Sequence, residues 1–458
     1  MDVNLFATNF SNPATLIPAI LKEWRPKFEL DAFKQYEPEL HKINSPVYRP
    51  DRLVAEQKDD QGQTISPARI EYATRISLAL QKIIVTRAVT FLTGGGMSID
   101  GKPVNAPQEQ LLQKVKDWCK LNKMRFKAGP LAEAVMSQLE AAEIWYSEVS
   151  PVTKTVVMRC KYYFPSKGYD LIPTFDNHGD LIAFSIQYED TTARKRYLDM
   201  YTDKVLRRYV QDGRGWQLID EVDLPYGKIP VIYFSKPKSE WADVQTMIDR
   251  LELLMSQWGD TNQYHSSPML VLKGLVNSLG EKGQSNRAVE VEPEGDVKYV
   301  TWDVEPSGLI AEKDALQENI FGLTQTPDLS FEAMSGLGDI SGVAFDRMLI
   351  DPHLKAIRAQ EGWYGEGVQR RLNFLKAAAI AANPSLNAGQ ELEIEPSFSL
   401  YRINDEAELI KVAMSANGNK PVMTQKDSVQ YVGLSDDPAQ TVADILAQPT
   451  DNTQQQAQ

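Results

Sequence analysis

The sequence predicts an α+β protein built from successive segments, and three observations predict it. Between residues 155 and 234 the chain reads as consecutive short strands separated by turn signals, without the helices that would alternate with them in an α/β protein. On either side of that stretch, apolar residues recur at helical spacing: Ile76, Leu80, Ile83 and Ile84 before it, Trp363, Leu372, Leu375 and Ala379 after it. Two more helical patterns, at 240–259 and 307–323, bracket a small β-rich insert, and a glycine-containing loop follows the second.

Taken in order, Leu16 to Trp24 predicts a short amphipathic helix ended by Pro26, and the polar stretch 46–62 predicts a loop. Pro67 suits the first turn of a strong helix running to about Leu92, with Ile70, Ala73, Ile76, Leu80, Ile83, Ile84 and Ala88 on one face and Gly94, Gly95 and Gly96 as its stop. Two helices follow within 107–146, striped by Leu111, Leu112, Val115, Trp118 and Leu121, then by Leu131, Val135, Leu139 and Ala142. From Trp145 the period shortens to that of strands, at 155–162, 181–188, 195–201, 206–211 and 216–222, with a last strand in 227–234. Asp176-Asn177-His178-Gly179 and Asp212-Gly213-Arg214-Gly215 are turns between them.

The next helix sets Trp241, Val244, Ile248, Leu251, Met255 and Trp258 on one side and Asp243, Asp249, Glu252 and Gln257 on the other, and Gly259 is its expected end. Strand-like runs at 269–272, 288–291 and 297–302 make up the insert. Ser307 is placed to cap the returning helix, Glu312 and Asp314 lie towards its positive end, and Pro327 stops it. After the loop Ser335, Gly336, Leu337, Gly338 and Asp339 comes one long helical stretch, 342–382, in which Pro352 predicts a kink. A strand at 392–400 and helices at 405–415, 424–432 and 438–447 complete the chain, the latter two signalled by the Thr424/Asp427 capping box and by Asp437-Pro438. The Gln-rich residues 449–458 predict a disordered tail.

A length of 458 residues suggests about three domains. The 62 acidic residues outnumber the 49 basic ones, giving −13, which argues against tight nucleic-acid binding. Arg194-Lys195-Arg196 and Arg207-Arg208 fall in or beside predicted strands and read as a solvated face or a subunit salt-bridge partner rather than a nucleic-acid site. No apolar run is long enough to span a membrane, and no signal-peptide pattern opens the sequence. The two cysteines, Cys119 and Cys160, are expected to be reduced thiols, and the four scattered histidines offer no zinc spacing, so no metal or cofactor is expected. Gly94-Gly95-Gly96 follows a helix, whose C-terminal end repels phosphate. Pro50-Asp51 followed by Glu56-Gln57-Lys58 imitates the carboxylate and lysine set of metal-dependent nucleases, with Asp51, Glu56 and Lys58 as its chemistry. Its spacing is too short for a hairpin core and its surroundings are polar loop, which favours a chance match over the alternative reading, a metal-dependent nucleic-acid-processing enzyme.

The order of these elements resembles that of the portal (head-to-tail connector) proteins of tailed double-stranded-DNA bacteriophages, over roughly residues 65–448. The resemblance rests on the helix ending at Gly94, the β layer closing in Lys228-Ile229-Pro230-Val231-Ile232, and the helix with Ile248, Asp249 and Leu251. It continues through Pro268-Met269-Leu270-Val271-Leu272-Lys273-Gly274, Thr326-Pro327-Asp328, Ser341-Gly342-Val343-Ala344, and 424–434 before Asp437-Pro438. It implies a wing from 1–239 and 343–404, stem helices at 240–259 and 307–325, a clip at 260–306, a tunnel loop region at 326–342 and a crown at 405–448.

The implied assembly is a homo-oligomeric, dodecameric ring at a capsid vertex of the virion, assembled in the host cytoplasm. Viral DNA is packaged and ejected through its channel. The implied partners are the large terminase subunit, head-completion or adaptor proteins, and the major capsid and scaffolding proteins, with no membrane. Such a protein is not an enzyme, since ATP hydrolysis belongs to the docked motor. Asp243, Asp249, Glu252 and Glu312 would be candidate channel residues, Lys273, Lys282, Arg287 and Lys298 candidate docking residues of the clip, and Ser335 to Asp339 the tunnel loop. Two amphipathic helices in one copy have little to pack against, so neighbouring copies are expected to cover their apolar stripes.

Overall fold

The computed structural model describes residues 12–58, 61–151, 154–192, 194–213, 215–265, 269–273, 276–279, 289–291, 296–300, 307–328, 347–401, 406–418, 421–433 and 438–447. Helices and strands are mixed and largely segregated along the chain, as an α+β fold requires. Helices α1 (Pro13–Glu23) and α2 (Leu30–Lys34) lead into four very short strands, β1 (Arg52–Val54), β2 (Gln57–Lys58), β3 (Thr64–Ser66) and β4 (Arg69–Glu71). They pair as β1 with β4 and β2 with β3, so 46–62 is not wholly loop.

Helix α3 (Leu80–Thr93) begins thirteen residues after Pro67, so the expected early start is wrong. Helix α4 (Ala106–Leu121) is capped by Asn105, whose side chain accepts from Gln108 N. Helix α5 (Met124–Gln138) ends at Leu139, which takes a left-handed conformation (φ 69°). That reversal puts Ala142 in strand β6 (Glu140–Val149) and not on a helical stripe.

Two antiparallel sheets follow. Strand β6 lies between β13 (Val231–Ser235) and β7 (Val156–Tyr163). The second sheet runs β8 (Tyr169–Phe175), β9 (Leu181–Asp190), β10 (Lys195–Tyr201), β11 (Val205–Asp212) and β12 (Gly215–Asp223), each strand beside the next. Strand β8 is absent from the sequence reading; it holds Pro173, which an edge strand tolerates. Ala142, Ile144, Val231 and Tyr233 of the first sheet meet Leu171, Phe184, Ile186 and Tyr201 of the second in one buried layer. Helix α1 covers the outer face of the five-stranded sheet with Leu16, Ile17 and Ile20.

The helical pattern around Trp241 is one helix, α6 (Gln245–His265), that starts later and runs six residues past its expected stop at Gly259. Among the described residues the insert holds four short strands: β14 (Met269–Lys273) pairs with β17 (Asp296–Val300), and β15 (Val276–Leu279), which the sequence pattern does not predict, with β16 (Val289–Val291). Helix α7 (Ser307–Leu323) returns, with Ser307 as its first helical residue. The predicted long kinked helix is two helices, α8 (Ile350–Glu361) and α9 (Trp363–Ala382). Pro352 sits harmlessly in the first turn of α8, and the break falls at Gly362, whose backbone leaves the helical region. Strand β18 (Ile394–Phe398) pairs with β5 (Met97–Gly101), a strand the glycine run had hidden. Helices α10 (Glu406–Ala416), α11 (Gln425–Val432) and α12 (Pro438–Ala447) complete the described chain; α11 follows its capping signal, with Thr424 Oγ1 accepting from Asp427 N at 3.1 Å, and α12 begins at Pro438.

The inner face of the three-stranded sheet is packed by α4, α5 and α9 through Leu111, Val115, Trp118, Leu131, Trp145, Phe234, Leu372 and Leu375. Arg371 of α9 is buried there, and its guanidinium donates to both carboxylate oxygens of buried Glu143 at 2.8 and 2.7 Å. Cys119 and Cys160 are free, buried in the same core, and burial pushes the Cys119 thiol up to about 11.

Candidate functional site

Of the two helices bracketing the insert, α6 is fixed to the body by a polar ladder. Residues 74–78 run extended along α6. Thr74 N donates to Asp260 Oδ1 (2.8 Å), Ile76 N to Ser256 Oγ (2.9 Å) and Leu78 N to Glu252 Oε1 (2.8 Å). The spacing is commensurate: four helical residues rise about 6 Å and two extended residues about 6.6 Å. Every second N–H therefore meets every fourth side chain, and the two segments run in opposite directions. Thr74 lies so close to α6 that a Cβ at Gly259 would stand 2.7 Å from Thr74 Cγ2, which explains a glycine inside the helix. Arg49 reinforces the end of the ladder, donating to Thr74 O (2.7 Å) and pairing with Asp260.

Glu252 has a second partner. His41 Nδ1 is 2.6 Å from Glu252 Oε1, and His41 Nε2 is 2.7 Å from Gln35 O. Both ring nitrogens face acceptors, so the protonated imidazolium alone satisfies both contacts. Burial pulls the His41 pKa down, but Glu252, the Gln35 carbonyl and the Asp249 charge outweigh it and raise the pKa above its usual value. Gln35 also accepts from Trp241 Nε1 (3.0 Å), and Tyr36 stacks on the Trp241 ring.

These contacts correct two expectations. Trp241, Val244, Ile248 and Leu251 are buried within the protomer, against Tyr36, Leu80, Ile84, Val85, Ile320 and Val368. The predicted stripe from Trp241 to Leu251 is thus covered by its own chain. Glu252 is 1% exposed and clasped to His41, so it does not belong to a solvent-facing polar face.

The other three candidate carboxylates each have a cation: exposed Asp243 with Lys238 (2.6 Å), mostly buried Asp249 with Lys42, and half-buried Glu312 with Arg250 (2.8 Å). The Arg250–Glu312 pair links α6 to α7. Each of these three pairs is charge-balanced.

At the other end of α7, Lys355 donates to Thr324 O (2.9 Å) and to Glu240 Oε2 (2.8 Å), Lys236 pairs with the same carboxylate, and Arg87 donates to Pro327 O. Burial works to raise the Glu240 pKa, yet the two lysines hold it below its usual range. These contacts anchor the chain just before residue 329. Ser335, Gly336, Leu337, Gly338 and Asp339 lie outside the described residues, as do Lys282 and Arg287. Lys273 and Lys298 sit on the paired strands β14 and β17, in register with Asp296 and Val271.

The nuclease-like residues are not assembled as such a site. Asp51 accepts from Ala73 N (3.0 Å) and Arg75 Nη2 (2.7 Å), while Glu56 meets Thr64 and lies 3.5 Å from Lys58. Among the described residues no group of three His, Cys, Asp or Glu side chains is placed to hold a metal ion. The sequence reading missed His41, Ser256 and Asp260; the signal available was three acceptors at 252, 256 and 260, repeating every four residues along one helix face.

The sequence matches the family described as "Phage portal protein, SPP1 Gp6-like" over residues 41–455. The chain therefore belongs to that family of structural capsid portals. No curated protein matches it. Among solved structures it is similar to a chain of the neck of the native GTA particle computed with C12 symmetry, at 11% identity, covering 77% of this chain and 90% of that one with a TM-score of 0.38. It is also similar to a chain of the neck of the empty GTA particle computed with C6 symmetry (11%, 78% and 89%, 0.39). A third likeness is to the virion of the native gene transfer agent particle (10%, 78% and 88%, 0.39). Such low identities and TM-scores do not bear on function.

Proposed function

We propose that copies of this chain close into a ring, dodecameric in the particle, at one capsid vertex, and that double-stranded DNA enters and leaves through its channel. The observation that carries this reading is the portal-family match across residues 41–455. The structure supports it in a specific way. Helix α6 is held to the wing by the ladder at 252, 256 and 260, and Lys355 ties Glu240, just before α6, to Thr324 O, just after α7, so the insert at 266–306 is carried on a braced support. In this reading 240–259 and 307–325 are the stem, 260–306 the clip that docks the terminase motor and the head-completion proteins, 326–342 the tunnel loop region and 405–448 the crown.

Asp243, Asp249 and Glu312 each have a basic neighbour, which would give a passing phosphate backbone neither a strong hold nor strong repulsion. The chain itself performs no catalysis in this account. The test is to shorten Ser335–Asp339 and assemble particles with the variant. Ring assembly should persist while DNA retention or passage falls; a variant that packages and retains DNA normally would refute the tunnel-loop assignment.

A further inference from the structure

The corner between α4 and α5 carries a feature unconnected with the stem. From Lys114 to Lys127 the sequence holds six basic residues against one acidic residue, Asp117, in a chain whose net charge is −13. Lys120, Lys123 and Arg125 are exposed and make no ion pair among the described residues. They surround a cavity of about 400 Å³ with apolar walls that include Met97, Ile99, Met124 and Phe398. Among the described residues no carboxylate lines it, and the charged group in its depth, Arg371, is already matched by Glu143. Phe126 stands at the rim, 77% exposed.

The corner is rigid. Buried Asn122 donates to Trp118 O and Met158 O, both at 2.8 Å, and accepts from Cys160 N at 2.9 Å, pinning the turn to β7. Lys123 is held in the left-handed region (φ 54°), which costs energy in a residue other than glycine. A preformed apolar hole with an unpaired cationic rim is complementary to a ligand joining an apolar side chain to carboxylates.

We infer that this corner docks an acidic peptide segment of a partner protein, one aliphatic or aromatic side chain entering between Met97, Met124 and Phe398 while its carboxylates meet Lys120, Lys123 and Arg125. A DNA duplex would engage the rim alone, because its bases are stacked inside the helix and leave the apolar cavity empty. The test selects a displayed library of random peptides on the full-length protein and measures synthetic copies of the enriched peptides by fluorescence anisotropy.

Enriched peptides should combine Asp or Glu residues with one large apolar residue. Lys120→Glu with Arg125→Glu should weaken them by about tenfold or more. Ala128→Phe, which fills the cavity and leaves the rim intact, should weaken them comparably. The inference is overturned if no such peptides are enriched, or if either variant binds them as the wild type does. It is equally overturned if a short DNA duplex or single strand displaces them and depends on the same residues. Variants are compared at wild-type circular dichroism and particle mass, so a failure to assemble into rings is read separately.

Discussion

Replacing Glu252 by alanine strips two groups of their partner at once, the buried His41 imidazolium and the Leu78 N–H. Breaking one side of a buried ion pair costs about 3–5 kcal/mol, and an orphaned buried N–H costs about 1–3 kcal/mol. His41 can recover part of this by releasing its proton, so the net loss should lie near the lower end of the ion-pair range, about 3 kcal/mol. Ser256→Ala removes one neutral acceptor from Ile76 N and should cost about 1 kcal/mol.

A chain of this size need not unfold in one step, so hydrogen exchange of peptides covering 36–44 and 74–80 is the suitable assay. A loss of 3 kcal/mol corresponds to roughly 100-fold faster exchange there, and the Ser256→Ala effect should be several-fold. The His41 pKa is raised on folding, so its stabilisation is complete below the unfolded value near 6.5 and is lost as the pH climbs through the folded value. Protection of 36–44, corrected for intrinsic exchange, should therefore decline on the alkaline side in the wild type, and the decline should vanish in Glu252→Ala. Equal exchange in Glu252→Ala and wild type, or a larger effect from Ser256→Ala, would refute the clasp.

Two other substitutions probe the core. A Cβ at Gly367 would lie 2.1 Å from Cε1 of buried Phe234, so Gly367→Ala should destabilise by about 1–3 kcal/mol, seen as a lower melting temperature that Phe234→Leu partly restores. Arg371→Met leaves the Glu143 carboxylate buried and unpaired and should cost about 3–5 kcal/mol in thermal or denaturant unfolding. The double variant Glu143→Leu with Arg371→Met should recover only part of it, because Trp145 Nε1, which donates to Glu143 Oε1, is then left without an acceptor.

Much of the fold is legible in the sequence where the signal is local. The helices after residue 405 announce themselves through Thr424, Asp427 and Pro438, and the strands from β9 to β12 through the turns between them. The failures occur where distant groups override a local pattern. Ile70, Ala73 and Ile76 continue the periodicity of α3 backwards, yet this segment is extended because Asp260 and Ser256 of α6 bind its N–H groups. Gly259 looks like a helix stop because nothing local reveals Thr74 against it. Of the candidate site, the two helices and the strands β14, β16 and β17 of the insert were readable; β15 and the Arg250–Glu312 pair were not. The burial of Glu252 was not, because its partner His41 is 211 residues away.

The central claim is that the chain closes into a ring with an open axis. Native mass measurement of the purified protein, with negative-stain imaging of the same sample, tests it most directly. The account predicts one particle with a central hole and a mass that is a high multiple of the 51.5 kDa chain, twelvefold for a dodecamer. A monodisperse 51.5 kDa monomer under all conditions would contradict it.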